Sequence, residues 1–105
     1  MTAMVTIREQ DLIDSVADAL QFISYYHPMD YIRALGDAYE AEQGPAAKDA
    51  IAQILTNSRM CAEGHRPICQ DTGIVNVFVE WGQNCRLESA LSLQEVVDEG
   101  VRRAY

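Results

Sequence analysis

The chain has 105 residues, of which 49% are hydrophobic and 23% are charged, as is typical of one globular domain. Its formal net charge of −8 argues against partners that require a basic surface, so we expect neither nucleic acid nor a membrane as partner. No apolar run approaches the roughly 20 residues of a membrane span, and residues 1–10 lack the pattern of a secretory signal. The three cysteines match no zinc-finger spacing, which favours free thiols in a reducing cytoplasm.

The first half of the chain predicts about three helices, which together occupy residues 6–62. A capping box at Thr6–Glu9 and apolar residues at helical spacing predict a first helix from about residue 7 to residue 26. Pro28 suits the first position of a second helix, and a glycine–proline pair then interrupts the pattern. A third helix is expected over about residues 46–60, since small and apolar residues again recur on one face.

The second half predicts a loop and strands over residues 63–90, followed by a helix over 92–105. The β-branched and aromatic run Ile74–Trp81 predicts a buried strand, and Cys85–Leu87 is expected to begin a return strand of a hairpin. A second capping box at Ser92–Glu95 opens the last helix, which reaches Tyr105 without a stop signal and is therefore expected to be cut there. The expected fold class is α/β.

The segment most typical of a chemical site is Arg66–Gly73, with the sequence Arg-Pro-Ile-Cys-Gln-Asp-Thr-Gly. Proline fixes φ and glycine permits a tight turn, so a thiol, an amide, a carboxylate and a hydroxyl are held on one short loop. The Cys69 thiolate is a soft ligand suited to iron–sulfur clusters, although a lone cysteine is more often a small buried hydrophobic residue. The Asp71 carboxylate can transfer a proton or close an Asx turn, and the residues alone leave both roles open.

This loop resembles the signature of the iron–sulfur hydro-lyases, a family of class I fumarate hydratases and the alpha subunits of L-tartrate dehydratase. The flanking segments Ile51–His65 and Glu95–Tyr105 are similar to the fumarase side of that family, so the resemblance covers nearly the whole chain. It implies a [4Fe-4S] enzyme of the tricarboxylic acid cycle that interconverts fumarate plus water and L-malate. Because the family's catalytic unit is several times longer, residues 1–105 are expected to be an N-terminal fragment, inactive alone and homodimeric when full length.

The resemblance also assigns roles within the loop. Cys69 matches one of three cysteines that hold the cluster, and the other two ligands are expected from sequence outside this chain. Gln70 and Asp71 are expected to contact the dicarboxylate substrate, fumarate or L-malate, and Asp71 is expected to support acid–base catalysis. Thr72 and Gly73 are expected to shape the loop.

Other residues near the loop are weaker candidates for a role in the site. Cys61 and Cys85 fall outside the family motif, so we expect core or surface thiols there. Arg66 could bind a carboxylate or pin the loop to a helix C-terminus, and the sequence leaves both open. His65 lacks a partner in the sequence that would tune it as a base, and His27 is expected to be a helix-cap residue.

Two other functions remain open at this point. One is the alpha region of L-tartrate dehydratase, which shares the chemistry and differs in substrate. The other is a metal-free acidic helical interaction module, in which Cys69→Ser would change only packing. The loss of cluster and activity on that substitution would separate the hydro-lyase from the module.

Overall fold

The computed structural model describes residues 3–69 and 73–105. Its elements follow the order β1 (Val5–Arg8), α1 (Glu9–Tyr25), α2 (Met29–Ala41), α3 (Pro45–Gly64), β2 (Cys85–Glu88) and α4 (Leu93–Ala104). Helices combined with a small sheet confirm the predicted α/β class. The chain divides into two compact units, one formed by Met1–Gln21 with Gly73–Tyr105 and the other by Phe22–Thr72.

The first unit contains a two-stranded parallel sheet. β1 pairs with β2 in the register Val5↔Cys85 through Arg8↔Glu88. Thr6 therefore lies in a strand, and the capping box predicted at Thr6–Glu9 is wrong: α1 begins at Glu9, directly after β1. The backbone groups of β1 are used in a pairing with a segment distant in sequence, which a local capping signal cannot reveal.

The core of the first unit lies where α4 meets α1. Val96 and Val97 of α4 are buried, as are Ile13 and Leu20 of α1. The predicted capping box at the start of α4 is confirmed, because the Ser92 hydroxyl accepts the Glu95 N–H at 3.2 Å and the Glu95 carboxylate accepts the Ser92 N–H at 3.3 Å.

The segment Ile74–Trp81 is not the buried strand that its composition predicts. It has no regular secondary structure, and Ile74 and Phe78 are 74% and 94% exposed. A strand does form at Cys85–Glu88, but it pairs in parallel with β1 rather than closing a hairpin. The physical reason is that β-propensity needs a ladder partner, and none of the described residues pairs with 74–81.

The second unit is built on the helical hairpin of α2 and α3. Pro28 is the N-cap of α2, one position before its predicted place, and Pro45 opens α3. Lys48 of α3 donates to the Tyr39 carbonyl of α2 at 2.8 Å and lies over the Tyr39 ring at 4.2 Å. Among the described residues, no helix combines the length and the apolar character that crossing a membrane requires.

Candidate functional site

The candidate site begins where α3 ends. The helix stops at Gly64, and His65 adopts the left-handed conformation (φ 52°, ψ 54°), which histidine tolerates better than most residues. The N–H groups of His65 and Arg66 both point to the Cys61 carbonyl, so the last turn closes tightly. This cap turns the chain sharply out of the helix and into the loop that carries Cys69.

Three consecutive loop residues are each held by a hydrogen bond. The Pro67 carbonyl accepts the Cys61 thiol at 3.3 Å. The Ile68 N–H donates to the Ser24 carbonyl of α1 at 2.8 Å. The Cys69 N–H donates to the Asn57 side-chain carbonyl of α3 at 3.2 Å. The backbone that leads to Cys69 is therefore fixed to the two helices beside it.

The three cysteines differ in how they present their thiols. Cys69 is exposed, Cys85 is half-buried, and Cys61 is buried with its thiol engaged by the loop. All three are free of disulfides. A free, exposed thiol on an anchored backbone suits one ligand of a metal cluster. Cys61 is a buried core thiol, which is one of the two placements predicted for it, and it holds the loop through the Pro67 carbonyl.

The described His, Cys, Asp and Glu side chains are the candidate ligands for a metal ion. Within residues 3–69 and 73–105, no three His, Cys, Asp or Glu side chains cluster so that they could hold a metal ion. The donor set therefore fits one thiolate ligand and does not fit a complete centre.

The structure describes only some of the other predicted site residues. Gln70 and Asp71, predicted to contact substrate, lie outside the described residues, as does Thr72. Gly73 has φ 77°, a backbone conformation that L side chains rarely adopt, so glycine is favoured at this position. Arg66 is exposed, and its guanidinium forms no ion pair with any described carboxylate.

Both histidines have partners that the sequence did not reveal. His65 Nε2 lies 3.0 Å from the Tyr26 hydroxyl, and its ring is parallel to that of Tyr25 with centroids 5.5 Å apart. His27 was predicted to be a helix-cap residue, but the N-cap of α2 is Pro28 and His27 lies one residue before it. The His27 Nδ1 lies 2.9 Å from the buried Ser58 hydroxyl. These contacts fasten the loop and the start of α2 to their neighbours.

Sequence reasoning missed Asn57, which holds the Cys69 amide. A signal was present, because Asn57 and Cys61 are four residues apart and therefore share one face of α3. A side-chain carbonyl and a thiol on one face of the helix preceding a cysteine loop are well placed to bind that loop's backbone.

A separate groove of about 610 Å³ lies in the first unit, between residues 75–79 and α4. Val75, Val77 and Val97 give it aliphatic walls, and Asn76, Gln94 and Asp98 add polar groups. With one carboxylate and no cation among its lining residues, the groove lacks the charge that a dicarboxylate would need.

Comparison with known proteins supports the resemblance read from the motif. The family model described as fumarate hydratase (fumerase) matches residues 13–105. A Methanocaldococcus jannaschii protein, provisionally named L(+)-tartrate dehydratase subunit alpha, is 32% identical over 91 residues, which is 87% of this chain and 32% of that protein. The chain thus spans about a third of the length of that curated relative. No solved structure matches the chain. The chain belongs to the fumarate hydratase (fumerase) family.

Proposed function

We propose that this chain is part of an iron–sulfur hydro-lyase that interconverts fumarate plus water and L-malate, with Cys69 as one ligand of a [4Fe-4S] cluster. The observation that carries the proposal is the presentation of Cys69, whose thiol is exposed and free while its backbone N–H is tied to Asn57. Family membership supplies the reaction class. In the proposal, the remaining ligands come from polypeptide outside this chain, as the family resemblance implies, and the described residues alone offer no complete metal site.

The bound cluster would supply a Lewis acid that polarises a substrate oxygen. This chain's own contribution is positional and acid–base. In the proposal, the Gln70 amide binds a substrate carboxylate or hydroxyl, and the Asp71 carboxylate holds or moves a proton of the water that is added across the double bond. Their place next to Cys69 in the motif supports these roles.

Substrate attraction needs local positive charge, because the chain carries a formal net charge of −8 and the substrate is a dianion. Arg66 supports this role, since it is exposed three residues before Cys69 and its guanidinium is not neutralised by a described carboxylate. Arg59 is a weaker candidate, because its guanidinium pairs with Glu63 at 3.0 Å on the surface of α3. We assign Arg66 to carboxylate binding on this ground.

A second candidate substrate is L-tartrate, because the relative from M. jannaschii carries the name of a tartrate dehydratase subunit. Its naming as a subunit also supports a second polypeptide as the source of the missing ligands. The three free thiols support a reducing compartment, which we propose is the cytoplasm. We also propose that the complete enzyme is a homodimer, as the family resemblance implies.

The test is an anaerobic reconstitution of the complete enzyme with iron and sulfide, followed by assays of fumarate hydration and L-tartrate dehydration. Cys69→Ser is compared with Cys85→Ser, a matched loss of a half-buried thiol outside the motif. The proposal predicts that Cys69→Ser abolishes hydratase activity and that Cys85→Ser retains it. Retention of both cluster absorbance and activity by Cys69→Ser would refute it, and turnover of tartrate alone would transfer the assignment to the second substrate.

A further inference from the structure

Asn57 reaches the backbone of the proposed cluster ligand from a neighbouring helix. It is half-buried on α3, and its side-chain oxygen accepts the Cys69 N–H at 3.2 Å. Of the two polar groups at the end of an asparagine side chain, only the oxygen can accept this bond, so the hydrogen bond fixes the orientation of the Asn57 side chain as well as that of the loop.

This bond is the last of three successive attachments. Pro67 and Ile68 are held through the Cys61 thiol and the Ser24 carbonyl, which limits how far the loop can shift before it reaches Cys69. Those two bonds do not fix the peptide plane at Cys69 itself. The Asn57 contact does so, and it leaves the Cys69 side chain exposed to a ligand.

We propose that Asn57 is a positioning residue for Cys69, which orients the thiolate toward the cluster by holding the Cys69 amide. The inference rests on the proposed role of Cys69 as a cluster ligand. A thiolate whose backbone is already oriented loses less conformational freedom when it binds iron. The bond also occupies the Cys69 N–H, which is then not available to a cluster sulfur, and hydrogen bonds to sulfur are one of the factors that set the properties of such clusters.

The contrasting explanation is that Asn57 merely stabilises the loop, without effect on the ligand. Three variants separate the two. Asn57→Ala removes the acceptor and favours the helix, so α3 remains formed. Asn57→Asp keeps an oxygen acceptor of similar shape. Gln53→Ala is the matched control, since Gln53 is an exposed amide one turn earlier on α3 that bonds Asp49 at 2.8 Å and does not reach the loop.

The first readout is amide hydrogen exchange at Cys69, measured by NMR on this chain without any cluster. Loss of one hydrogen bond is expected to speed exchange at Cys69 by about fivefold in Asn57→Ala. Asn57→Asp should restore the exchange rate to within about twofold, because its carboxylate still accepts the bond. Gln53→Ala should leave Cys69 exchange unchanged.

The second readout is the electron paramagnetic resonance spectrum of the reconstituted complete enzyme after one-electron reduction with dithionite, together with the rate of iron loss to a chelator. Asn57→Ala should change the spectrum and release iron about fivefold faster, as expected for one lost hydrogen bond, while Gln53→Ala changes neither. A structural role alone would alter loop exchange without altering the cluster spectrum.

The outcomes distinguish this inference from the proposed function. If Cys69→Ser loses the cluster while Asn57→Ala keeps the spectrum and iron retention of the unsubstituted enzyme, the positioning role is refuted and the ligand assignment stands. If Cys69→Ser keeps the cluster, the proposed function fails first. Unchanged Cys69 exchange in Asn57→Ala would refute the hydrogen bond itself.

Discussion

Replacing Gly100 by alanine tests how closely α4 packs against α1. A Cβ at Gly100 would lie 2.7 Å from Cβ and Cγ1 of Val16 and 3.1 Å from the Ile13 carbonyl oxygen. The Val16 Cβ is fixed by the backbone of α1, and β-branching restricts χ1 and so holds Cγ1, so neither atom can move away without moving α1. Overpacking of this kind costs roughly 1–3 kcal/mol.

The same substitution also raises helix propensity, which offsets about 1 kcal/mol of that cost. Because the close atoms belong to the root of a stiff side chain, we take the upper part of the range and expect a net loss of about 1–2 kcal/mol. Gly36→Ala in α2 is the matched control. A Cβ there meets nothing within 4 Å, so the gain in propensity remains, and we expect stabilisation of about 0.5–1 kcal/mol.

Urea unfolding followed by far-ultraviolet circular dichroism measures both effects. The two midpoints should move in opposite directions, down by roughly 0.5–1 M in Gly100→Ala and up by roughly half as much in Gly36→Ala, for a urea m-value of about 2 kcal/mol/M. Equal stabilisation by Gly100→Ala and Gly36→Ala would refute the close approach of α4 to α1.

Three further predictions concern acid stability, thiol reactivity and exposed apolar surface. Hydrogen bonds from Arg102 and Arg103 lower the pKa of the Glu99 carboxyl from 4.5 to about 2. The stability that these bonds provide is therefore fully present above about pH 4.5 and is lost as the pH falls toward 2. In Glu99→Gln the urea unfolding midpoint should therefore decrease less between about pH 4.5 and about pH 2 than it does in the unsubstituted chain. An equal decrease in both proteins would contradict this prediction. Under native conditions an alkylating reagent should label Cys69 well before Cys61, as read by peptide mass spectrometry, and the reverse order would contradict their burial. Phe78 is 94% exposed, so Phe78→Ser should reduce dye binding and self-association in sedimentation; a dye-silent, monomeric parent chain would contradict this.

Local sequence signals predicted the helices well, because capping and periodicity depend on residues close together in the chain. Ser92 and Glu95 form the predicted capping box. The same signal at Thr6 failed, since the backbone there pairs with β2. A capping motif describes what one segment can do locally and carries no information on a distant strand that competes for it.

The strand predicted at Ile74–Trp81 failed for a related reason. β-propensity describes how well side chains fit a pleated, half-buried surface, and that surface exists only when another strand provides it. The described residues provide one for β2 and none for 74–81.

The sequence predicted the chemically active residue of the candidate site, and it did not predict the residues that hold the loop in place. Cys69 stood out because of the residues around it in sequence. Ser24 and Asn57, which hold the loop, are brought to it by tertiary packing, and Ser24 contributes through its backbone carbonyl, which no side-chain pattern can indicate. Positions of this kind follow from the fold and are found only when the fold is known.

The most direct test of the central claim is uptake of an iron–sulfur cluster, measured by iron content and visible absorbance after anaerobic reconstitution. It compares this chain alone with the complete enzyme that supplies the remaining ligands. The proposal predicts that the complete enzyme takes up a cluster, that this uptake depends on Cys69, and that the chain alone takes up none in stoichiometric amount. A stoichiometric cluster on the chain alone would contradict it, because Cys61 and Cys85 would then have to serve as ligands.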